Sequence, residues 1–209
     1  MSDEPRVVVR DFRPEDRDAA IEVLAASFEG FGPLDQVVGD DDKAPDRRRR
    51  MLEMTFKEGA KQDVIIAQRD GQIEGVLTYA DRPDCIPRAR DSLGAVRLAG
   101  PRLRTLIRDF RKVDKAHPRT PHRHLLALGV RPGAQGQGIG GLLTAEHSRR
   151  CDEAGLESYL ETTRWADPSR RAQERLYERH GFRVAEVVPM TNDWSMVTMK
   201  RPAATTSGG

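Results

Sequence analysis

The sequence predicts an α/β protein of the α+β kind. Its elements run strand, two helices, two strands, a helical insertion, then strand, helix, strand, helix and two closing strands. Three observations carry that prediction. Asp63 to Arg69 and Gln72 to Tyr79 are strand-like runs joined at Asp70-Gly71, a two-residue hairpin signal because both positions accept positive φ. Leu125 to Val130 is an apolar run of strand length that passes through Pro132 and five glycines into a segment with helical spacing. Leu156 to Thr163 alternates, placing Leu156, Ser158, Leu160 and Thr162 on one face and Glu157, Tyr159, Glu161 and Thr163 on the other.

The remaining elements follow in order. Arg6 to Arg10 is a short β-type run. Pro14, Glu15 and Asp16 open a helix with acidic groups in its first turn, and Ala20, Val23, Leu24 and Phe28 recur at helical spacing. Gly30 to Pro33 ends it, and a loop with the acidic run Asp40 to Asp42 is expected from Phe31 to Asp46. A second helix is expected from Asp46 to Ala60, burying Met51, Leu52, Thr55 and Phe56. Arg47 to Arg50 points all round that helix, so the run reads as a solvated face rather than a nucleic-acid site. Between Pro83 and Pro121, Leu103, Leu106, Ile107 and Phe110 predict one helix and Leu93, Val96 and Leu98 suggest another. Pro118 and Pro121 then stop helical structure before the fourth strand. Ile139 to Ala154 is the next helix, closed by Gly155. Asp167-Pro168-Ser169 starts a helix over Arg171 to His180, ended by Gly181. Phe182 to Val188 and Trp194 to Met199 form the last strands. A single domain over 1–202 is expected, with a disordered small-residue tail at 203–209.

Composition narrows the classes. A chain of 209 residues is long enough for one domain with a real core. Charged residues make up 33% and nearly cancel, leaving +2, so no global basic field points to nucleic acid. Two cysteines, Cys85 and Cys151, have neither metal-ligand nor disulfide-framework spacing. The N-terminus lacks the pattern of a signal peptide, and no apolar run reaches the roughly 18 residues of a membrane span. A soluble cytoplasmic protein without a metal, partnered by neither nucleic acid nor membrane, is the expectation.

The glycines after Val130 point to a phosphate. They let main chain approach a ligand closely, while free N–H groups and the positive end of the helix dipole face it. Gly136, Gly138 and Gly141 satisfy G-x-G-x-x-G, with Glu161 about twenty residues on, as a nicotinamide-dinucleotide fold requires. Gln135, Gly138 and Gly140, preceded by Val130-Arg131-Pro132, satisfy Q-x-x-G-x-G instead. A turn with no ligand is the third reading. Placement after a fourth strand favours the second, and there the sequence resembles the GNAT superfamily of N-acetyltransferases. The stretches Leu160-Glu161-Thr162-Thr163 and Leu176 to Phe182 are similar in particular to its puromycin N-acetyltransferase-like members. The ending Trp194 to Pro202 agrees.

The resemblance implies a GNAT fold: a mixed, mostly antiparallel sheet of six or seven strands flanked by helices, with the helical insertion before the fourth strand. It implies acetyl-CoA as co-substrate, with main chain of Leu128, Gly129 and Val130 along the pantetheine arm and an oxyanion contact at Leu128. Gln135, Gly136, Gln137, Gly138, Ile139 and Gly140 would hold the pyrophosphate, and Arg131, or Arg170 and Arg171, the 3′-phosphate. It places Tyr177 at the thioester sulfur as acid, a role that suits a phenol with pKa near 10. The alternative for Tyr177 is core packing. Glu161 is expected to bind the acceptor ammonium or take its proton, the alternative being an exposed strand carboxylate. One position departs from the pattern: Arg170 stands where an Asn is usual. The expected activity is acetyl transfer to a primary amine, a small molecule before a protein, by a monomer or homodimer. A CoA-binding module without catalysis is the alternative.

Overall fold

The computed structural model describes residues 6–56, 62–82, 103–168, 171–190 and 194–204. Seven strands form one mixed sheet in the order β1-β2-β3-β4-β5-β7-β6. They are β1 (Val8–Asp11), β2 (Asp63–Arg69), β3 (Gln72–Arg82), β4 (His122–Val130), β5 (Glu157–Trp165), β6 (Arg183–Pro189) and β7 (Trp194–Arg201). Every neighbouring pair is antiparallel except β4 with β5. The helices are α1 (Arg17–Ser27), α2 (Gly32–Val38), α3 (Ala44–Thr55), α4 (Leu103–Ala116), α5 (Ile139–Ala154) and α6 (Ala172–Arg179).

The strand alternation sorts the core into two layers. Ile65, Ala67, Leu77, Leu125 and Leu160 face α5 and α6, packing on Ile139, Leu143 and Tyr177. Ile66, Ile73 and Val76 face the other way, onto Ala20, Ile21, Val23 and Leu24 of α1 and Leu52 of α3. The hairpin between β2 and β3 turns on Asp70 at φ 50° and Gly71 at φ 80°, as that dipeptide predicts. Helix α5 runs from Ile139 to Ala154 and ends on Gly155 in the left-handed region.

Several expectations are corrected. The stretch from Phe31 to Asp46 is not a loop, because α2 buries Leu34, Val37 and Val38 there. Seven residues are too few for periodicity to register, and Pro33 in a first turn forfeits no helical hydrogen bond. Helix α3 begins at Ala44 rather than Asp46; the far end of the expected helix, 57–61, and the Thr55 side chain lie outside the described residues. Met51, Leu52 and Phe56 do face apolar clusters. Arg47, Arg48 and Arg49 pair with Asp41, Asp35 and Glu53, and Arg48 is buried, so of the expected solvated run only Arg50 is fully exposed. The fourth strand starts at His122, three residues before Leu125. The expected helix over Leu93, Val96 and Leu98 lies outside the described residues, as does 205–209. Residues as far as Ala204 are tied down, since its amide donates to Asp152 Oδ1 at 2.7 Å. No described helix is long and apolar enough to cross a membrane.

Candidate active site

The site is built where the two central strands part. β4 and β5 pair only from His122 with Glu157 to Leu125 with Leu160. Beyond that point β5 stays with β7 as far as Trp165, and β4 stays with β3 as far as Val130. One edge of Leu126 to Val130 is therefore left without a strand among the described residues, so its main-chain groups need another partner. A bulge helps open this gap: Tyr79 pairs with Leu125 and Thr78 with Ala127, leaving Leu126 as the extra residue. The bulge also shifts the side-chain phase. Leu125 faces α5, but past the bulge it is Leu128 and Val130 that do, while Ala127 faces α1. Gly129 meets α1 closely: a Cβ there would stand 2.2 Å from Ser27 Oγ and 2.9 Å from Leu24 Cδ2.

At the open end of the gap, Pro132–Ala134 forms a short turn that leads into α5. Gly136 (φ 77°) and Gly138 (φ 83°) lie in the left-handed region, and Gly138 caps α5. A Cβ at either would touch nothing in the protein, so the demand for glycine there is conformational. Gly140 is different, because its added Cβ would press on Leu176 Cδ2 at 3.3 Å; it serves the packing of α5 on α6. Gln135 Nε2 donates to the Val130 carbonyl at 3.1 Å, and Arg69 donates to Gln137 Oε1 at 2.7 Å. The Gln135 amide meets the Pro132 carbonyl at 3.4 Å. The first-turn amides of α5, from Ile139 to Gly141, have no carbonyl one turn back, and with the helix dipole they make an anion-binding end. Among the 3′-phosphate candidates, Arg131 is drawn to the Ile73 carbonyl at 3.0 Å and to Glu74. Arg170 lies outside the described residues, so the effect of the missing Asn does too. Arg171 precedes α6 with its Nε buried and without a hydrogen-bond partner among the described residues.

Tyr177 comes from α6, which Glu174 clamps to β5 through Arg164. Its ring lies edge-on to Phe182 at 5.7 Å, in the layer that holds Leu125 and Leu160. Burial pushes its phenol up, so the hydroxyl keeps its proton at neutral pH. Glu161, the first residue of β5 beyond the parting, is on the opposite face. Its Oε2 lies 2.6 Å from His124 Nε2 and its Oε1 lies 3.6 Å from His117 Nδ1. Burial works against its charge, but His124, by charge and hydrogen bond, with His117 and Tyr159 close by, outweighs that and holds the carboxyl down at about 2. An exposed strand carboxylate it is not: its side chain is 20% exposed.

The histidines are the part of the site that sequence reasoning missed. His122 and His124 alternate along β4 and so share a face, and His117 joins them from the segment after α4. All three are buried around Tyr159, with ring centroids 4.8, 5.4 and 5.2 Å from it for His117, His122 and His124. His122 Nδ1 faces the Thr120 carbonyl at 2.8 Å, so that nitrogen carries the hydrogen. Burial lowers the pKa of His122, and its Nε2, like that of His117, has no hydrogen-bond partner among the described residues. One ligand atom from each of the three comes within 4.8 Å of the others. A tetrahedral zinc site has nitrogens about 3.3 Å apart, so metal binding would require the rings to close in. The spacing H-x-H at the head of a strand was the available signal.

The sequence family described as acetyltransferase (GNAT) domain matches residues 106–184, a span that takes in β4, the glycine turn, β5 and α6. Over residues 106–184 the chain is similar to a GNAT acetyltransferase domain. Solved structures agree on the fold. An acetyltransferase from Corynebacterium glutamicum, described as histone acetyltransferase HPA2 and related acetyltransferase, is 20% identical; 97% of this chain covers 99% of that one with a TM-score of 0.69. The PaiA N-acetyltransferase of Thermoplasma acidophilum, solved with coenzyme A, is 16% identical over 94% of this chain and 99% of its own, with a TM-score of 0.56. The ribosomal-protein-S18-alanine N-acetyltransferase of Escherichia coli is 14% identical over 98% of each chain, with a TM-score of 0.54. No curated protein matches. The seven-stranded mixed sheet is that of the GNAT fold. The dinucleotide reading of Gly136, Gly138 and Gly141 fails on topology: the GNAT domain has one parallel strand pair among its described strands, whereas a doubly wound dinucleotide fold is mostly parallel.

Proposed function

We propose that the protein transfers the acetyl group of acetyl-CoA to a primary amine by direct attack. The observation that carries this reading is the placing of Glu161 and Tyr177 on opposite faces of the sheet at the point where β4 and β5 part. The amine nitrogen and the departing sulfur are different substituents of the tetrahedral adduct, so a proton acceptor near one and a proton donor near the other suit the reaction. Amides at Gly136 to Gly140, with the side chains of Gln135 and Gln137 bracing the turn, suit the diphosphate, and the free edge of Leu128, Gly129 and Val130 suits the pantetheine arm. In one balanced sequence, Glu161 draws one proton from the ammonium, nitrogen bonds to the acetyl carbon, the carbon–sulfur bond breaks, and the nitrogen gives up its second proton to solvent. Tyr177 protonates the departing sulfur and regains its proton from solvent. An amide at Leu128 suits the negative oxygen that develops between those steps.

A small-molecule amine is the preferred acceptor, because the resemblance at Leu160 to Thr163 and Leu176 to Phe182 is to enzymes acting on one. A protein amino group is the second reading, favoured by the likeness to the S18-alanine enzyme. The test is thiol release from acetyl-CoA across a panel of small amines and peptides. Release with an amine supports the reading; binding of CoA with no release to any acceptor leaves a binding module instead.

A further inference from the structure

The proposed reaction gives no step to the three buried imidazoles at the N-terminal end of β4. We infer that His117, His122 and His124 form a binding site for one zinc ion, which fastens the chain following α4 to β4. The inference stands apart from the acetyl-transfer reading, because zinc can bind whether or not any amine is acetylated.

Two nitrogens of the group, Nε2 of His117 and Nε2 of His122, are buried with no hydrogen-bond partner among the described residues. Folded proteins rarely leave buried polar atoms so, and each instance calls for a partner. Each ring also presents its far side to an oxygen. His122 Nδ1 meets the Thr120 carbonyl at 2.8 Å, His124 Nε2 meets Glu161 Oε2 at 2.6 Å, and His117 Nδ1 is turned to Glu161 Oε1 at 3.6 Å. In a neutral imidazole the hydrogen goes to the nitrogen that faces an oxygen, and the other nitrogen keeps a lone pair for a metal. A carboxylate or carbonyl behind a ligating histidine is the usual support of such a site, since it fixes the tautomer and raises the basicity of the ring. A ring that carries a second proton gives it up when the metal binds.

One nitrogen from each ring lies within 4.8 Å of the others. Nitrogens around a tetrahedral zinc stand about 3.3 Å apart, so each has to move inward by at most about 1 Å. His117 lies between α4 and β4, outside both, so its ring can approach without disturbing the sheet. His122 and His124 alternate on β4 and already share a face. Imidazole nitrogen suits zinc, copper and nickel, whereas magnesium and calcium take oxygen. Three neutral rings leave the fourth tetrahedral position to water, and zinc accepts that set with no redox chemistry and no geometric demand from its d electrons. The cysteine spacing that argued against a metal does not bear on this site, whose ligands are all histidines.

The experiment titrates zinc chloride into the untagged full chain stripped of metal, with His122→Gln, His117→Gln and His180→Gln beside the wild type. The wild type should take up one zinc per chain with a Kd of about 1 μM or tighter. At about 100 times that concentration its Tm should rise by about 5 °C or more. His122→Gln and His117→Gln each remove a ligand, so binding should weaken by about 100-fold or more and the rise in Tm should vanish. His180→Gln, outside the cluster, should bind zinc as the wild type does. Zinc-edge X-ray absorption on the wild type should count three imidazoles, and cobalt(II) in the same place should give the spectrum of a four-coordinate ion. Fewer than three imidazoles at the zinc, no saturable binding, or equal affinity in every variant would overturn the site and mean an adventitious ion only. If His122→Gln or His117→Gln folds poorly, the imidazole count on the wild type decides alone. Zinc bound with no acetyl transfer removes only the acetyl-transfer reading, and transfer by a protein that takes up no zinc removes only this site.

Discussion

The two ends of β4 present a ligand with different materials. Past its C-terminal end, the Gly136–Gly140 turn offers main-chain amides on an exposed surface, and its shape is held by left-handed glycines and by Gln135 bonded to the Val130 carbonyl. At its N-terminal end the chain offers side chains: His124, buried and aimed with His117 at a carboxylate on the neighbouring strand, and His122, buried beside them. Main-chain recognition is insensitive to which side chains surround it, so it suits a co-substrate that does not vary. Side-chain recognition changes with every substitution, so it suits the partner that does. On the proposed function, the difference teaches that a diphosphate end and an amine end of this gap should be separable by mutation.

The largest effect is expected from Glu161→Gln, about 100-fold in kcat/KM with a charged amine. CoA affinity, followed by thermal shift, should be unchanged; a fall in both would merge the two ends. Next is Tyr177→Phe, expected to lower kcat about tenfold or more without changing the KM for acetyl-CoA. Full kcat with a fast amine would return Tyr177 to core packing on Phe182. Gly138→Val acts at the other end. A branched residue in the left-handed region costs about 1–2 kcal/mol, so CoA binding should weaken by about tenfold while the pH profile of the residual activity keeps its shape.

The last prediction concerns stability rather than activity and separates two sets of buried histidines. His147 of α5 is buried against Ser158 Oγ at 2.8 Å, away from the gap, and burial pushes its pKa down to about 3. The unfolded chain takes up a proton near pH 6.5 that the folded chain refuses until about 3. Stability therefore stands above pH 6.5 and falls between 6.5 and 3, by about 1.4 kcal/mol per pH unit for this one group. His147→Gln should flatten that slope in urea titrations without touching the acetyl-transfer profile. An unchanged slope would mean that His147 is not the group responsible.

The glycine turn was legible because its requirement is local: positive φ at Gly136 and Gly138 and a helix start leave their mark within a few residues. Tyr177 and Glu161 were reachable only through the likeness of the motifs around them. The histidine cluster was not read, since His117, His122, His124 and Glu161 span more than forty residues and meet only because β4 lies parallel to β5. Helix α2 was missed because two turns give no period to read.

From the sequence alone came the order of the strands, the hairpin at Asp70-Gly71, the Gly155 cap of α5 and the glycine turn before it. Each of these is set by φ preferences and by apolar spacing along a short run of chain. Tertiary structure decided where β4 and β5 part, which residue bulges, and which imidazoles reach the Glu161 carboxylate. Those depend on register between strands far apart in sequence, where a shift of one residue sends every side chain to the opposite face.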